Sequence, residues 1–403
     1  MPPGVKNPFH ALRHRNFRLF FIGQFTSLVG TWMQVVAQGW LVLELSNSPF
    51  LVGLVTSLES LPILLLTLYG GVVADRVDKR RALLFLQTGM LVEALVLTLL
   101  TATHRLTVGW LMVLAPTLGT FSAFEVPIRQ SFMVEMVGRE DLVNAIALNS
   151  SIFNLTRIVG PVIAGALISS FGSTACFGVN AASFLAVIVA FRLMRPPFPG
   201  AMRTPHDREP TFQDGIRYVL DRREPRSLLG LAATLSVFGL GAALAMLPVY
   251  ARGVLGLGAS GYGALMAAVG VGAGLGAIAM AAVGHRVDRH RLIRDATLLF
   301  AASLALSTVH GSFAFALGGL AVAGFGSVLA AISTNALLQT DAPDHLRGRV
   351  MGFYSFVVLG LAPFGSLQAG WVSERQGVRV SLALCAGISA LAALRLAKVK
   401  RER

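Results

Sequence analysis

The sequence predicts an all-α membrane protein with twelve transmembrane helices in two pseudo-symmetric six-helix bundles, and three observations carry that prediction. Composition is the first: 54% apolar residues, 13% charged residues and a mean hydropathy of +0.68 leave a water-soluble fold too little polar surface to cover itself. The second is length, because apolar windows of about 20 residues, enough to cross a bilayer, recur twelve times. The third is a repeat. A charged turn between two apolar runs, Gly70-Gly71-Val72-Val73-Ala74-Asp75-Arg76-Val77-Asp78-Lys79-Arg80-Arg81, returns as Gly284-His285-Arg286-Val287-Asp288-Arg289-His290-Arg291. Both copies read Arg-Val-Asp followed by a basic triplet. Their separation is too long for a solenoid and fits two halves related by duplication.

The predicted spans are 17–44, 50–74, 82–103, 107–129, 143–170, 173–194, 228–251, 258–284, 291–309, 312–338, 348–373 and 377–397. Residues 1–194 then form the N-terminal six-helix bundle, 195–227 a cytoplasmic linker, and 228–403 the C-terminal bundle. The linker holds Pro196, Pro197, Pro199, Pro205, Pro210 and Pro225; within it Phe212, Ile216, Val219 and Leu220 recur at helical spacing, which predicts a short amphipathic helix on the inner membrane surface.

Charge fixes the orientation. Segments expected on the inner side hold Arg13, Arg15, Arg18, the first charged turn, Arg139, the linker arginines, the second charged turn, Arg347, Arg349 and the basic tail. Those expected outside hold only Arg105, Arg252, Arg375 and Arg379. This asymmetry places both termini in the cytoplasm of a multi-pass plasma-membrane protein. It also accounts for the net charge of +14, since the cations sit at the ends of apolar runs and not in one patch, so no nucleic-acid partner is expected. Cys176 and Cys385 fall inside spans without ligand spacing and read as core residues. The first 16 residues show no cleavable secretory signal.

Ionisable groups at membrane depth need a partner, a water-filled cavity or a proton. Glu59, Glu93, Glu125 and Arg157 are the clear cases, all in the first half, with Glu59 and Arg157 at comparable depth and Glu125 nearer the cytoplasm. Two readings stand. In one, Glu59 or Glu93 pairs with Arg157 as a fixed ion pair and Glu125 pairs with Arg129 one turn on. In the other, a carboxylate in a poorly hydrated cavity loads a proton on one side and releases it on the other, with Glu59 and Glu93 the better candidates. Gln24, Ser27, Thr31, Gln34 and Gln38 form a polar stripe on the first span, facing an aqueous cavity or another helix.

No chemistry of other kinds is written in the chain. It lacks a Gly-x-x-x-x-Gly-Lys-Ser/Thr loop, so an ion gradient or the substrate's own gradient must drive any movement. The eight histidines fall in loops or at helix ends with no His-Glu-x-x-His spacing, so neither a catalytic constellation nor a metal site is expected, and no cofactor. The eighth-span glycines Gly270, Gly272, Gly274 and Gly276 follow no strand and fail as a dinucleotide loop. Together with Gly160, Pro161 and Gly165 of the fifth span, Gly272 and Gly276 read as close helix-packing positions.

Gly71, Asp75, Arg76 and the Lys79–Arg81 triplet resemble the Gly-x-x-x-Asp-Arg-x-Gly-Arg-Arg signature of the major facilitator superfamily, with Asp78 where the signature has Gly and His285 replacing the acid in the second copy. Pro127-Ile128-Arg129-Gln130, Asn144-Ala145, Arg157-Ile158-Val159-Gly160-Pro161 with Gly165, and Arg347-Gly348-Arg349-Val350-Met351-Gly352 resemble its drug and siderophore exporter branch. The resemblance implies the major facilitator fold and a secondary active transporter. It implies proton-coupled export of small organic molecules (drugs, metabolites or a siderophore) by alternating access. An importer or lipid-related carrier on the same fold is the alternative, and a polytopic membrane enzyme the more distant one. Gly160-Pro161 is similar to the antiporter signature of such exporters, with Ala164 where the fuller pattern has Gly. Because spans one, four, seven and ten line the cavity in that superfamily, the resemblance adds Phe121, Phe124, Phe238, Met246 and Phe325 to Gln34 and Gln38 as expected cavity residues. Expected partners are the lipid bilayer, a small organic substrate and protons, with the protein a monomer.

The charged turn reads as a conformational gate of Gly71, Asp75, Arg76, Asp78, Lys79, Arg80, Arg347 and Arg349. Asp75 is expected to cap the N-terminus of the eleventh span, near Arg347-Gly348-Arg349. An anion at the positive end of an exposed helix is worth ~0.3–1 kcal/mol, a latch of modest strength.

Overall fold

The computed structural model describes residues 9–195, 212–283, 287–309, 311–343 and 346–401, and among them it contains helices and no strands. A 3-10 turn, His10–Arg13, precedes α1 (Arg15–Ser46), α2 (Pro49–Ala74), α3 (Lys79–Ala102), α4 (Val108–Phe171) and α5 (Ser173–Leu193). Then follow α6 (Phe212–Asp221), α7 (Arg223–Phe238), α8 (Leu240–Ala245), α9 (Leu247–Gly253), α10 (Ala259–Val283), α11 (Arg289–Val309), α12 (Phe313–Asp341), α13 (Arg347–Gly360), α14 (Ala362–Gln376) and α15 (Val378–Arg401). Eleven helical runs are long and apolar enough to cross a bilayer. The 64-residue α4 is two of the expected spans joined at Gly138, whose φ of 74° and ψ of 177° break the helix where a side chain would be strained. The runs therefore make twelve spans. Gly284, His285 and Arg286 of the second charged turn and residues 196–211 of the linker lie outside the described residues.

Local chemistry sets several boundaries. Ser48 N-caps α2 by accepting from the Leu51 N–H at 3.2 Å, with Pro49 at the first helical position. Asp78 caps α3 by accepting from the Arg81 N–H at 2.9 Å, and its repeat Asp288 accepts from the N–H groups of His290 (3.0 Å) and Arg291 (3.3 Å) at the start of α11. The duplicated Asp is thus a helix N-cap in both copies, which explains why Asp78 stands where a turn glycine was expected. The seventh span is broken twice, at Gly239 and ahead of Pro248, and the eleventh at Leu361 ahead of Pro363. Each proline removes a helical N–H and crowds the carbonyl four residues back.

Within the first six spans, α1 packs on α4 and α5, and α3 on the same two. Within the last six, α10 and α11 pack on α12, and α15 on α7 and α11. The two groups meet through α2 against α14 and α4 against α10. These crossings lie at one end of the molecule. A Cβ on Gly53 would stand 2.3 Å from the Ser366 carbonyl oxygen, one on Gly370 2.9 Å from that of Pro49, and one on Gly263 2.4 Å from that of Pro161. Along the same face of α2 the contact continues to Leu64, beside Gly360, and then stops. Gly71 has nothing within 4 Å of a built Cβ, and Val72 and Asp75 are exposed. The halves therefore diverge toward the end that carries the charged turns.

α6 buries its inner face against the protein. Val219 and Tyr218 are buried in a cluster with Leu228, Leu338 and Val350, and the Tyr218 hydroxyl donates to the Asp341 carbonyl at 2.8 Å. Leu220, expected on the apolar face, is 48% exposed, and Tyr218 takes its place.

Candidate translocation site

Between the halves lies a cavity of about 170 Å³, floored by the closed crossings. The first half supplies Trp32, Gln38, Thr56, Glu59 and Ser60; the second supplies Gly241, Leu244, Pro248, Tyr262 and Met266. Its second-half wall combines the interrupted seventh span with Tyr262 and Met266 of α10, consistent with the rule that discontinuous helices mark transporter binding sites. The volume falls below the ~300–1,000 Å³ of pockets that enclose drug-sized ligands, so a substrate here must extend into the open mouth.

Two carboxylates sit on the first-half side, each held by an amide of α1. The Gln38 amide donates to Glu59 at 3.1 Å. One turn earlier, the Gln34 amide donates to both oxygens of Glu93, at 3.3 and 3.2 Å. The orientation of Gln34 is fixed from behind: Asn180 of α5 donates to its carbonyl oxygen at 2.6 Å, and Ser183 donates to Asn180 at 3.0 Å. Gln34, Glu93, Asn180 and Ser183 are all 3% exposed or less. Sequence reasoning missed Asn180 and Ser183. The available signal was Gly30, one turn before Gln34, where a Cβ would stand 2.5 Å from both side chains.

The expected fixed ion pair of Glu59 or Glu93 with Arg157 is not formed. Among the described residues Arg157 has no carboxylate within ion-pair distance; its guanidinium lies over the Trp32 ring, 5.8 Å from the centroid. Glu125 differs, accepting from Arg129 Nε at 2.8 Å with both side chains largely buried. The polar stripe of α1 packs largely against neighbouring helices, with Gln24, Ser27, Gln34 and Gln38 all buried and Gln38 also at the cavity wall.

Five expected cavity residues lie elsewhere. Phe121 packs over Gly89 between spans three and four, Phe124 joins the core of the first half, and Met246 is fully buried. Phe238 packs against a core cluster drawn from both halves, and Phe325 against one in the second half. The reason is helical position and not residue type, since the large side chains that do line the cavity are Trp32, Tyr262 and Met266. The packing positions make close crossings. Gly160 lies against Trp32 and Val29, Gly165 against Ala259 and Ser260, and the Pro161 carbonyl against Gly263. Gly272 and Gly276 face the backbone of α12 at Ala321 and Phe325.

At the charged-turn end, the gate residues are tied mostly within the first half. Lys79 pairs with Glu135, and Arg80 donates to the carbonyls of Phe191 (2.8 Å) and Arg192 (3.0 Å). Asp75 and Arg76 are exposed, and Arg347 Nε donates to the Gln339 carbonyl at 2.9 Å. Among the described residues the Asp75 side chain makes no hydrogen bond or ion pair, so the expected Asp75 latch is not made in this arrangement.

A second polar node escaped the sequence reading. Asp141, 3% exposed just past the Gly138 break, accepts from His14 Nε2 (2.8 Å), His10 Nδ1 (2.9 Å) and Arg13 Nη2 (2.8 Å). The Ala11 N–H donates to Asn144 at 2.8 Å. These contacts dock the N-terminal turn onto the connection between spans four and five. The hydrogen bond from His14, with those of His10 and the Arg13 charge, holds the Asp141 carboxyl well below the usual carboxylate range despite burial.

The comparisons with known proteins agree with this architecture. A family profile described as transmembrane secretion effector matches residues 6–402. The chain is 24% identical over 355 residues to the staphyloferrin A transporter of Staphylococcus aureus (strain NCTC 8325 / PS 47), covering 87% of each chain. It is 26% identical over 371 residues to the multidrug efflux pump Tap of Mycolicibacterium fortuitum, covering 90% of each. In fold it is similar to a bacterial homologue of the human lysosomal transporter Spinster, captured inward-facing and unoccupied, with a TM-score of 0.78 at 16% identity over 98% of this chain and 97% of that one. Twelve spans, a cavity between two packed groups and a profile match across nearly the whole sequence make this chain a member of the transmembrane secretion effector family, transporters of the major facilitator superfamily.

Proposed function

We propose that this transporter is a proton-coupled exporter of small amphipathic organic molecules, residing in the plasma membrane with its termini and charged turns in the cytoplasm. On this reading residues 1–194 and 228–403 are the two rocking bundles joined by the 195–227 linker, and the conformation described is open to the cytoplasm. The single observation that carries the coupling is the contrast among three acids. Glu125 is clamped by a cation, whereas Glu59 and Glu93 are held at membrane depth by neutral amides. An amide imposes no counter-charge, so these two can exist with or without a proton as hydration changes, while Glu125 is paired with Arg129 and structural. The aromatic, Met and Gln lining suits a bulky and weakly polar substrate. Similarity to a siderophore transporter and a drug efflux pump supports export of that class.

The test is reconstitution in liposomes with an imposed pH gradient, screening efflux of diverse dyes and siderophores. Glu93→Gln or Glu59→Gln should abolish gradient-driven efflux while leaving substrate exchange without a gradient. Wild-type gradient-driven efflux in both variants removes the coupling assignment.

A further inference from the structure

The closed end of the molecule holds a side-chain contact that no expectation anticipated. Glu374, in the last turn of α14, reaches across to the other half. Its Oε2 accepts from the Ser48 hydroxyl at 2.9 Å and from the Phe50 N–H at 3.0 Å. Ser48 is the N-cap of α2, and the Phe50 N–H is one of the first-turn donors with no partner inside its own helix. An acid of one half thus completes the cap of a helix in the other, directly above the Gly53, Ser366 and Gly370 crossing.

The placement is informative because α2 and α14 are antiparallel at this crossing. A carboxylate in the last turn of α14 sits at the negative end of its own helix, where it is disfavoured, and the positive end of α2 offsets this only while the two helices touch. At the opposite end of α2, Asp75 is the C-cap residue, also at a negative helix end, and is exposed.

We propose that Glu374 is the positioning residue of the outer gate, holding spans two and eleven together in the conformation closed at that end. Opening this end breaks both of its hydrogen bonds and exposes the α2 N-terminus to water. The inference rests on alternating access and is independent of which substrate or ion is carried.

The test reads accessibility at a buried reporter. Val55 is 1% exposed and lines the cavity near the closed crossing, and both native cysteines are buried and silent to a polar reagent. In a Val55→Cys background, a membrane-impermeant maleimide is applied to intact cells. Glu374→Gln should raise the labelling rate about two- to five-fold, the range expected for an exposed charge–dipole contact. Ser48→Ala, which removes one of the two donors, should raise it by less, and keeps the test alive if the first variant fails to reach the membrane. Asp75→Asn should move labelling the opposite way. Wild-type or slower labelling in Glu374→Gln overturns the assignment. If Asp75→Asn still slows labelling in that case, alternating access stands and only the role of Glu374 falls.

Discussion

Three glycines on α10 should respond differently to the same methyl group. At Gly263 a Cβ would lie 2.4 Å from the Pro161 carbonyl oxygen and 3.0 Å from Gly165 Cα; at Gly272 it would lie 1.7 Å from the Ala321 carbonyl oxygen; at Gly274 nothing stands within 4 Å. All the neighbours are backbone, so no side-chain rotation relieves the clash. Overpacking of this kind costs ~1–3 kcal/mol. Gly263 faces the other half, and its neighbour moves away when that end opens. The full cost of Gly263→Ala therefore falls on one conformation and shifts the closed-to-open ratio by about 5- to 150-fold. Gly272 faces α12 of its own half, so Gly272→Ala is penalised in both conformations and lowers stability without a bias. Gly274→Ala should be neutral or stabilising by up to ~1 kcal/mol through helix propensity. The assay is a distance distribution between labels on Arg81→Cys and Arg291→Cys, equivalent positions in the two charged turns with side chains 88% and 74% exposed. Gly263→Ala should populate the shorter separation, and the other two should follow the parent. A Gly263→Ala distribution matching that of Gly274→Ala refutes the claim that the α4–α10 crossing belongs to one conformation.

Two further outcomes follow from the polar contacts. Glu125→Leu leaves Arg129 largely buried and unpaired and should cost ~3–5 kcal/mol, whereas Glu125→Leu with Arg129→Met should recover most of the stability and retain gradient-driven efflux; loss of that efflux in a stable double variant would return Glu125 to the proton-carrying group. Asp141→Asn should lower thermal stability at neutral pH by freeing the N-terminal turn. Because the folded-state carboxyl is held down, its contribution is complete above the ordinary value near 3.8 and lost only as pH falls below it, so the gap between wild type and variant should stay constant from neutrality to about pH 4 and close beneath that.

The spans were legible because bilayer thickness is a length constraint written directly into hydropathy; most expected limits fall within a few residues of a helix end, although the fourth span runs on to the Gly138 break and the seventh and eleventh are interrupted. The duplicated turn was legible because charge and sequence repeat together. What the sequence could not show was which polar group meets which. Gln34 and Gln38 were visible as a stripe, but their acids arrive from α3 and α2 and the anchor from α5. Aromatic identity misled for a related reason: Phe121 and Met246 are the right chemistry for a cavity on spans said to line one, yet helical phase and close crossing turn them inward. Glu374 and Asp141 were hidden because each lies at a helix end, where charge is unremarked in sequence, and each finds its partner more than 120 residues away.

The charge count at membrane depth ties these placements to the proposed cycle. Glu125 with Arg129 is neutral as a pair and sealed. That leaves Glu59, Glu93 and Arg157 of the first six spans, none of them ion-paired among the described residues. With both acids ionised the group carries one uncompensated negative charge in a poorly solvated region; with one proton bound it is neutral without any side chain moving. On the proposed coupling, a single proton would be the counterweight when no charged substrate is present. A fixed Glu–Arg ion pair would have neutralised Arg157 and left the remaining acid to be balanced alone. By keeping Arg157 against Trp32 and the acids against amides, the chain leaves the balance to be struck by what enters the cavity.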